Sequence, residues 1–222
     1  MKMFKPLPTT VIAQIGATSG YSSLVDNNNA SKGITEEERN KRVQEFWSKL
    51  TNGDKAKAGK LYEQYIGYIY EKAGYHVEYN GILKQNQDMG RDLICQKGHR
   101  TIIIQCKYSQ SSKSIIKVAC IHQLFGSYWQ YALEHPDELV RGVLYTPANV
   151  ESSAKGAACK LGIILKCQHK LDIFPRIKCV YKKRIYYVPD DVVYDRIAIN
   201  LDAGDIYCYT EKSAREKGYH KA

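Results

Sequence analysis

Three consecutive pieces of sequence constrain this chain most: Asp88-Met89-Gly90-Arg91-Asp92-Leu93-Ile94-Cys95, the turn Lys97-Gly98-His99-Arg100, and Thr101-Ile102-Ile103-Ile104-Gln105-Cys106-Lys107. Together they read as one β-hairpin. Side chains two apart on a strand share a face, so Gln105 and Lys107 point together while Ile104 and Cys106 point the other way. Two polar residues thus interrupt an otherwise apolar strand, beside an acid, Asp92, on its neighbour. Burying such groups unpartnered costs about 1–3 kcal/mol each, so a fold that keeps them supplies something for them to bind. A metal ion and a phosphate meet that need.

Helical and strand periodicities surround the hairpin. Leu61, Tyr65, Ile69 and Ala73 recur at intervals of four and predict a helix over 55–73, with Glu63 off the middle of its apolar stripe. Strands are expected over 76–79, 92–95 and 101–107, where β-branched residues and alternation dominate. A helix over 115–133, a strand over 142–146, a helix over 154–161 and a strand over 163–165 follow. Helix, three strands, helix, strand, helix, strand is an order that suits a mixed sheet sandwiched by helices. Upstream, Thr35 and Glu38 have capping-box spacing, and Val43, Phe46, Trp47 and Leu50 continue it as a helix that Asn52-Gly53 ends.

The arrangement resembles the PD-(D/E)XK nuclease superfamily, in the variant of the Mrr-type restriction endonucleases that carries Gln in place of the second acid. The likeness reaches upstream through Tyr62-Glu63, Ile66, Ile69, Tyr70 and Gly74-Tyr75. Downstream it runs from Val118 to Gly126 and on to Gly142-Val143-Leu144-Tyr145-Thr146, so residues 56–166 are covered. It implies an α/β, restriction-endonuclease-like core, a mixed β-sheet flanked by helices in the order αβββαβ. The expected organisation is a flexible arm over 1–33, an N-terminal helix over 34–54, the nuclease core over 55–166 and a small β-rich C-terminal module over 167–222.

The same resemblance implies a Mg²⁺-dependent DNA endonuclease of restriction, phage or mobile-element type, with Mn²⁺ able to substitute. Asp92 is then the principal metal ligand, assisted by the Gln105 amide oxygen, the Cys106 carbonyl and Glu63, with Asp88 as a further acid. Lys107 orients the attacking water and stabilises the charge that develops on the phosphoryl oxygens. Arg91, Lys113, Lys117, His122 and Gln123 are candidate nucleic-acid contacts, with exposed helix polarity as the alternative reading of the last four. Two other functions remain open: a Holliday-junction resolvase working as a two-fold homodimer, and a catalytically silent nucleic-acid-binding module. In a third reading without a site, Asp92 caps a turn, Lys107 is a solvated edge-strand charge and Glu63 pairs with a helical lysine such as Lys60.

Charge agrees with a polyanionic partner. Lys and Arg number 33 against 23 acids, a net charge of +10, and phosphate contacts by such residues release counterions. Seven cysteines form no C-x-x-C pair and several sit in apolar runs, which favours a reducing compartment. Cys167, His169 and Cys179 match no standard metal spacing. The short apolar run over 10–17 holds Gln14 and follows two prolines, so no signal peptide is expected, and no run spans a bilayer. The expected setting is the cytoplasm of a bacterial or phage-infected cell.

The last quarter of the chain divides electrically. Residues 166–187 hold seven Lys or Arg and one Asp, interleaved with Phe174, Tyr181, Tyr186 and Tyr187. Residues 188–211 hold six acids and one Arg. Basic residues among aromatics suit phosphates and bases, and equally suit a hairpin whose tyrosines are core. A short helix is expected over 211–217.

Overall fold

The computed structural model describes residues 55–84, 89–109 and 114–222, together with Glu45. The arm over 1–33, the N-terminal helix apart from Glu45, Asp88 and Lys113 therefore lie outside the described residues. Ser48–Ala222 form one unit. Its first described element is helix α1 (Lys55–Lys72), followed by β1 (His76–Glu78), a five-residue helix α2 (Asn80–Lys84), β2 (Leu93–Lys97) and β3 (Arg100–Cys106). Next come β4 (Ile115–Ile116), helix α3 (Val118–Glu134), β5 (Leu139–Tyr145), β6 (Asn149–Val150), helix α4 (Ser152–Lys160) and β7 (Ile164–Lys166).

A five-stranded sheet in the order β1-β2-β3-β5-β7 is the centre of this region. β1, β2 and β3 run antiparallel, and β5 and β7 add in parallel. Lys97 pairs with Arg100, so the hairpin turns on Gly98 and His99 alone, with Gly98 at a φ of +58°. Alternation along the strands divides the sheet's side chains between two helical layers. Ile94, Ile103, Val140 and Leu144 pack with Ile121, Leu124 and Tyr128 of α3 and with Ala154 and Ala158 of α4. Tyr145, of opposite parity, meets Tyr70 of α1 on the other face.

Helix α1 stops in a Schellman motif: Gly74 N–H donates to Glu71 O and Tyr75 N–H to Tyr70 O, with Gly74 at a φ of +79°. Its apolar stripe is wider than the interval of four suggests. Ala58, Tyr62, Gln64, Ile66, Gly67, Tyr68, Tyr70 and Glu71 are buried along with Leu61 and Tyr65, because a second body covers the side turned away from the sheet.

That body is a four-stranded sheet in the order β10-β8-β9-β11. It comprises β8 (Ile177–Val180), β9 (Ile185–Tyr187), β10 (Ile206–Cys208) and β11 (His220–Lys221), with a helix α5 (Glu211–Glu216). Ile177, Cys179, Tyr186, Cys208, Ala214 and Tyr219 form its own core. Phe174, Tyr186 and Tyr187 are buried, which settles the interleaved aromatics as core there, whereas Tyr181 is exposed.

Two differences from the periodicity are local. The helix expected over 115–133 begins at Val118, because Ile115 and Ile116 pair in parallel with Asn149 and Val150. Helix α2 has too few residues to show a period, and sequence patterning missed it. The seven cysteines are all free, and among the described residues no cluster of His, Cys, Asp and Glu suits a metal, so Cys167, His169 and Cys179 do not assemble one. No described helix is long and apolar enough to cross a membrane.

Candidate active site

The β2–β3 register builds the site. Leu93 pairs with Ile104, and one step further sets Asp92 opposite Gln105 at the open end of the hairpin. Cross-strand neighbours have side chains on one face, so the hairpin itself brings the acid and the amide together. Asp92 is anchored: Cys106 N–H donates to its Oδ2 at 2.6 Å. A strand residue's N–H and C=O leave the same edge, so the Cys106 carbonyl also faces Asp92.

Helix α1 brings Glu63 to the same place. Asp92 Oδ1 and Glu63 Oε2 lie 3.2 and 3.0 Å from one point, the position that a Cβ on Gly81 would occupy. Gly81 of α2 is held there by its N–H, which donates to Asp92 O at 2.9 Å. The missing side chain thus leaves the space onto which two carboxylate oxygens converge. Like charges at such range repel, and a cation between them reverses the sign of the interaction.

Gln105 is fully buried, and its amide is oriented by Gln123 of α3, whose Oε1 accepts from Gln105 Nε2 at 3.1 Å. That bond turns Gln105 Oε1 the other way, where it is buried and accepts no hydrogen bond. Gly90, at a φ of +74°, lets the loop pass this pair: a Cβ there would lie 3.0 Å from Gln105 Nε2 and 3.1 Å from Gln123 Nε2. Lys107 shares the face of Gln105 by alternation and is half-buried. Its backbone is pinned to the end of β5 by two bonds, with N–H donating to Tyr145 O at 2.9 Å and C=O accepting from Thr146 Oγ1 at 2.7 Å.

Electrostatics gathers the same residues. Burial pushes the Cys106 thiol well up from its ordinary value, Asp92 and then Glu63 push it further, and Lys107 opposes them. The thiol thus lies within electrostatic reach of Glu63, Asp92 and Lys107, beside the Asp92–Gln105 pair that the hairpin register brings together. Lys60 does not serve Glu63; its ammonium is 2.7 Å from Asp195.

The candidate nucleic-acid contacts fare differently. Lys117 and His122 are exposed at the start of α3. Gln123 is exposed yet committed to Gln105. Arg91 is buried, its guanidinium 5.5 Å from the Tyr131 ring centroid and 3.9 Å from Glu134, so packing against α3 holds it away from the open surface. Sequence reasoning missed Gly81 and Thr146. A glycine inside an unrecognised helix carries no signal, and a threonine ending a strand reads as ordinary β-propensity.

The donor set fits a hard divalent cation: carboxylate oxygens, a carbonyl and an amide oxygen left without a partner are the ligands that Mg²⁺ and Mn²⁺ favour. The core topology and this acid, amide and lysine constellation define a restriction-endonuclease-like protein of the PD-(D/E)XK class. A family model described as restriction endonuclease (Mrr_cat) matches residues 40–172, more than half of the chain, and the chain belongs to that family. No curated protein matches it.

Two solved structures are similar at low identity. The crystal structure of a protein of unknown function, AF1548, shares 16% identity, with a TM-score of 0.39 and coverage of 48% of this chain and 58% of that one. The MspJI restriction endonuclease in complex with a 27-mer oligonucleotide shares 14% identity, with a TM-score of 0.39 and coverage of 63% of this chain and 33% of that one. The chain thus spans less than two thirds of either neighbour.

Proposed function

We propose that this protein is a divalent-metal-dependent DNA endonuclease that hydrolyses phosphodiester bonds, with Mg²⁺ as its natural ion and Mn²⁺ able to replace it. The observation that carries the reading is Gln105 Oε1. A buried acceptor left without a hydrogen bond costs about 1–3 kcal/mol, and Gln105 stands across the hairpin from Asp92, one of the two carboxylates that converge at Gly81. Asp92 Oδ1, Gln105 Oε1 and the Cys106 carbonyl would hold the ion, with Glu63 completing the set directly or through water. When bound, the ion supplies Lewis acidity at the phosphoryl oxygens and lowers the pKa of water.

The side chains do the rest. The Cys106 N–H fixes Asp92 through Oδ2. Gln123 fixes which end of the Gln105 amide faces inward. Lys107, pinned through its backbone, offers an ammonium that orients the attacking water and meets the charge developing on the phosphate. Lys117 and His122, exposed at the start of α3, would contact the nucleic-acid backbone beyond the reacting bond, and the net charge of +10 would supply the long-range attraction.

The test incubates wild type and Asp92→Ala with supercoiled, linear and four-way-junction DNA, each in Mg²⁺ or in EDTA. Wild type cuts only with metal, and Asp92→Ala loses about a thousandfold or more in rate, the equivalent of several kcal/mol of transition-state stabilisation. Preference for the four-way junction would turn the reading to a resolvase. Binding by both proteins with no cleavage of any substrate in Mg²⁺ or Mn²⁺ would overturn it in favour of a silent binding module.

A further inference from the structure

Helix α1 has two working faces, and the second carries the inference. Lys60, Gln64, Tyr68 and Glu71 are spaced by four, four and three residues and so line one side of the helix. Every one of them is taken by the C-terminal body. Asp195 accepts from Gln64 Nε2 at 2.7 Å and pairs with Lys60 at 2.7 Å. Arg176 Nη2 donates to Gln64 Oε1 at 3.4 Å. Tyr68 packs its ring against Phe174 and Tyr207, and Glu71 meets Lys178 and the Tyr207 hydroxyl.

Gln64 is the sequence neighbour of Glu63. Both ends of its buried amide are held, one by a carboxylate and one by a guanidinium, so the azimuth of α1 about its axis is set within one residue of the site carboxylate. A hydrogen-bonded helix turns as one body, so a small rotation at Gln64 swings Glu63 through the same angle. Asp195 is the key to the clamp, because it touches Gln64 and Lys60, one turn apart on the same face.

We infer that Asp195 is a positioning residue for the metal site: acting through Gln64, it fixes the rotation of α1 and thereby the placement of Glu63 opposite Asp92. The C-terminal sheet is then a brace for the active-site helix. This rests on the metal-site reading of Glu63 and Asp92. The bond to Gln64 matters more than the pair with Lys60, which is 46% exposed and screened.

The test measures Mn²⁺ affinity by titration calorimetry together with DNA cleavage. It compares wild type, Asp195→Ala, Asp195→Asn, Gln64→Met, Glu63→Gln and the double variant Glu63→Gln with Asp195→Ala. Residues that orient metal ligands typically govern about 10–100-fold in affinity or activity, so Asp195→Ala and Gln64→Met each weaken Mn²⁺ binding about tenfold. Asp195→Asn retains an oxygen for Gln64 Nε2 and stays within about threefold of wild type. In the Glu63→Gln background, Asp195→Ala does nothing further, because its effect runs through Glu63.

Unchanged Mn²⁺ binding in both Asp195→Ala and Gln64→Met overturns the inference. So does an equal loss from Asp195→Ala in both backgrounds, the mark of general loosening. Should Asp195→Ala fail to fold, the same two outcomes are read from Gln64→Met, alone and with Glu63→Gln. Wild type that neither binds Mn²⁺ nor cuts DNA overturns the metal-site reading, and the positioning role with it; wild type that binds while the clamp variants bind equally well sinks the clamp alone.

Discussion

Two glutamates on one helix, eight residues apart, meet opposite fates. Glu71 is 1% exposed, lies 4.0 Å from the Lys178 ammonium and accepts from the Tyr207 hydroxyl. Lys178 is equally buried; it donates to Ile197 O at 2.7 Å and sits 4.6 Å from the centroids of Tyr79 and Tyr194. Glu63 shares its space with a second carboxylate, Asp92, around a glycine. An acid paired with a buried cation on all-protein partners is structural. An acid converging on another acid, beside an amide oxygen that lacks a partner, is where the proposed metal ion would bind.

Breaking the structural pair gives the largest effect. Lys178→Met leaves Glu71 buried without its counter-charge, and stability falls by about 3–5 kcal/mol in urea denaturation. Adding Glu71→Met to it recovers most of that loss, since apolar replacement of a buried pair is often neutral. A Lys178→Met protein as stable as wild type would end the contrast between the two acids. Glu63→Gln runs the other way: metal-dependent cleavage drops about 10–100-fold, while stability moves by no more than about 0.5 kcal/mol.

Acidity separates the two regions next. Burial pushes the Glu71 carboxyl up from its ordinary 4.5, with Lys178 and the Tyr207 hydrogen bond pulling it partly back. Unfolded, Glu71 releases its proton near 4.5; folded, it keeps the proton to higher pH. Across that interval the native state carries the extra proton, so the contribution of Glu71 to stability is full below 4.5 and is lost as the pH rises through the raised value. Wild-type stability minus that of Glu71→Gln therefore declines with rising pH over this window. A flat difference curve would show that Lys178 compensates the burial completely.

The same contrast explains what the sequence could show. Asp92, Gln105 and Lys107 were legible because strand alternation and the two-residue turn fix their register within sixteen residues. The core elements α1, β2, β3 and β5 carry strong periods and are found within a few residues of their expected bounds. The brace was not legible. Its bonds join residue 64 to residues 176 and 195, across a distance in sequence over which no local period carries information. Gln64, Tyr68 and Glu71 look like a solvated polar face, and only the covering sheet shows that they are interior. In the same way, the basic and aromatic stretch over 166–187 looks like one binding surface, yet folding sends Lys178, Phe174, Tyr186 and Tyr187 inward and leaves Tyr181, Lys182, Lys183 and Arg184 outside.

Two glycines give the finest test of the division, because each can be filled with a single methyl group. At Gly67, in the middle of α1, an added Cβ would run into the Tyr79 hydroxyl and ring, in the wall of the pocket that holds Lys178. Such overpacking costs about 1–3 kcal/mol and outweighs the gain of up to about 1 kcal/mol for alanine inside a helix, because the clash is with a buried ring, so Gly67→Ala lowers stability through the structural pocket. At Gly81 the Cβ would lie 3.0 Å from Glu63 Oε2, 3.1 Å from Asp92 Cα and 3.2 Å from Asp92 Oδ1. These contacts demand shifts of a few tenths of an ångström, and their cost is offset by the gain of up to about 1 kcal/mol when alanine replaces glycine in a helix. Gly81→Ala therefore leaves the denaturation midpoint nearly unmoved and is felt where the carboxylates are pushed apart, as a Mn²⁺ affinity lowered about threefold, some 0.7 kcal/mol. Calorimetric titration of both variants decides the matter: Mn²⁺ binding that weakens at Gly67 and not at Gly81 would assign the cation to the wrong glutamate.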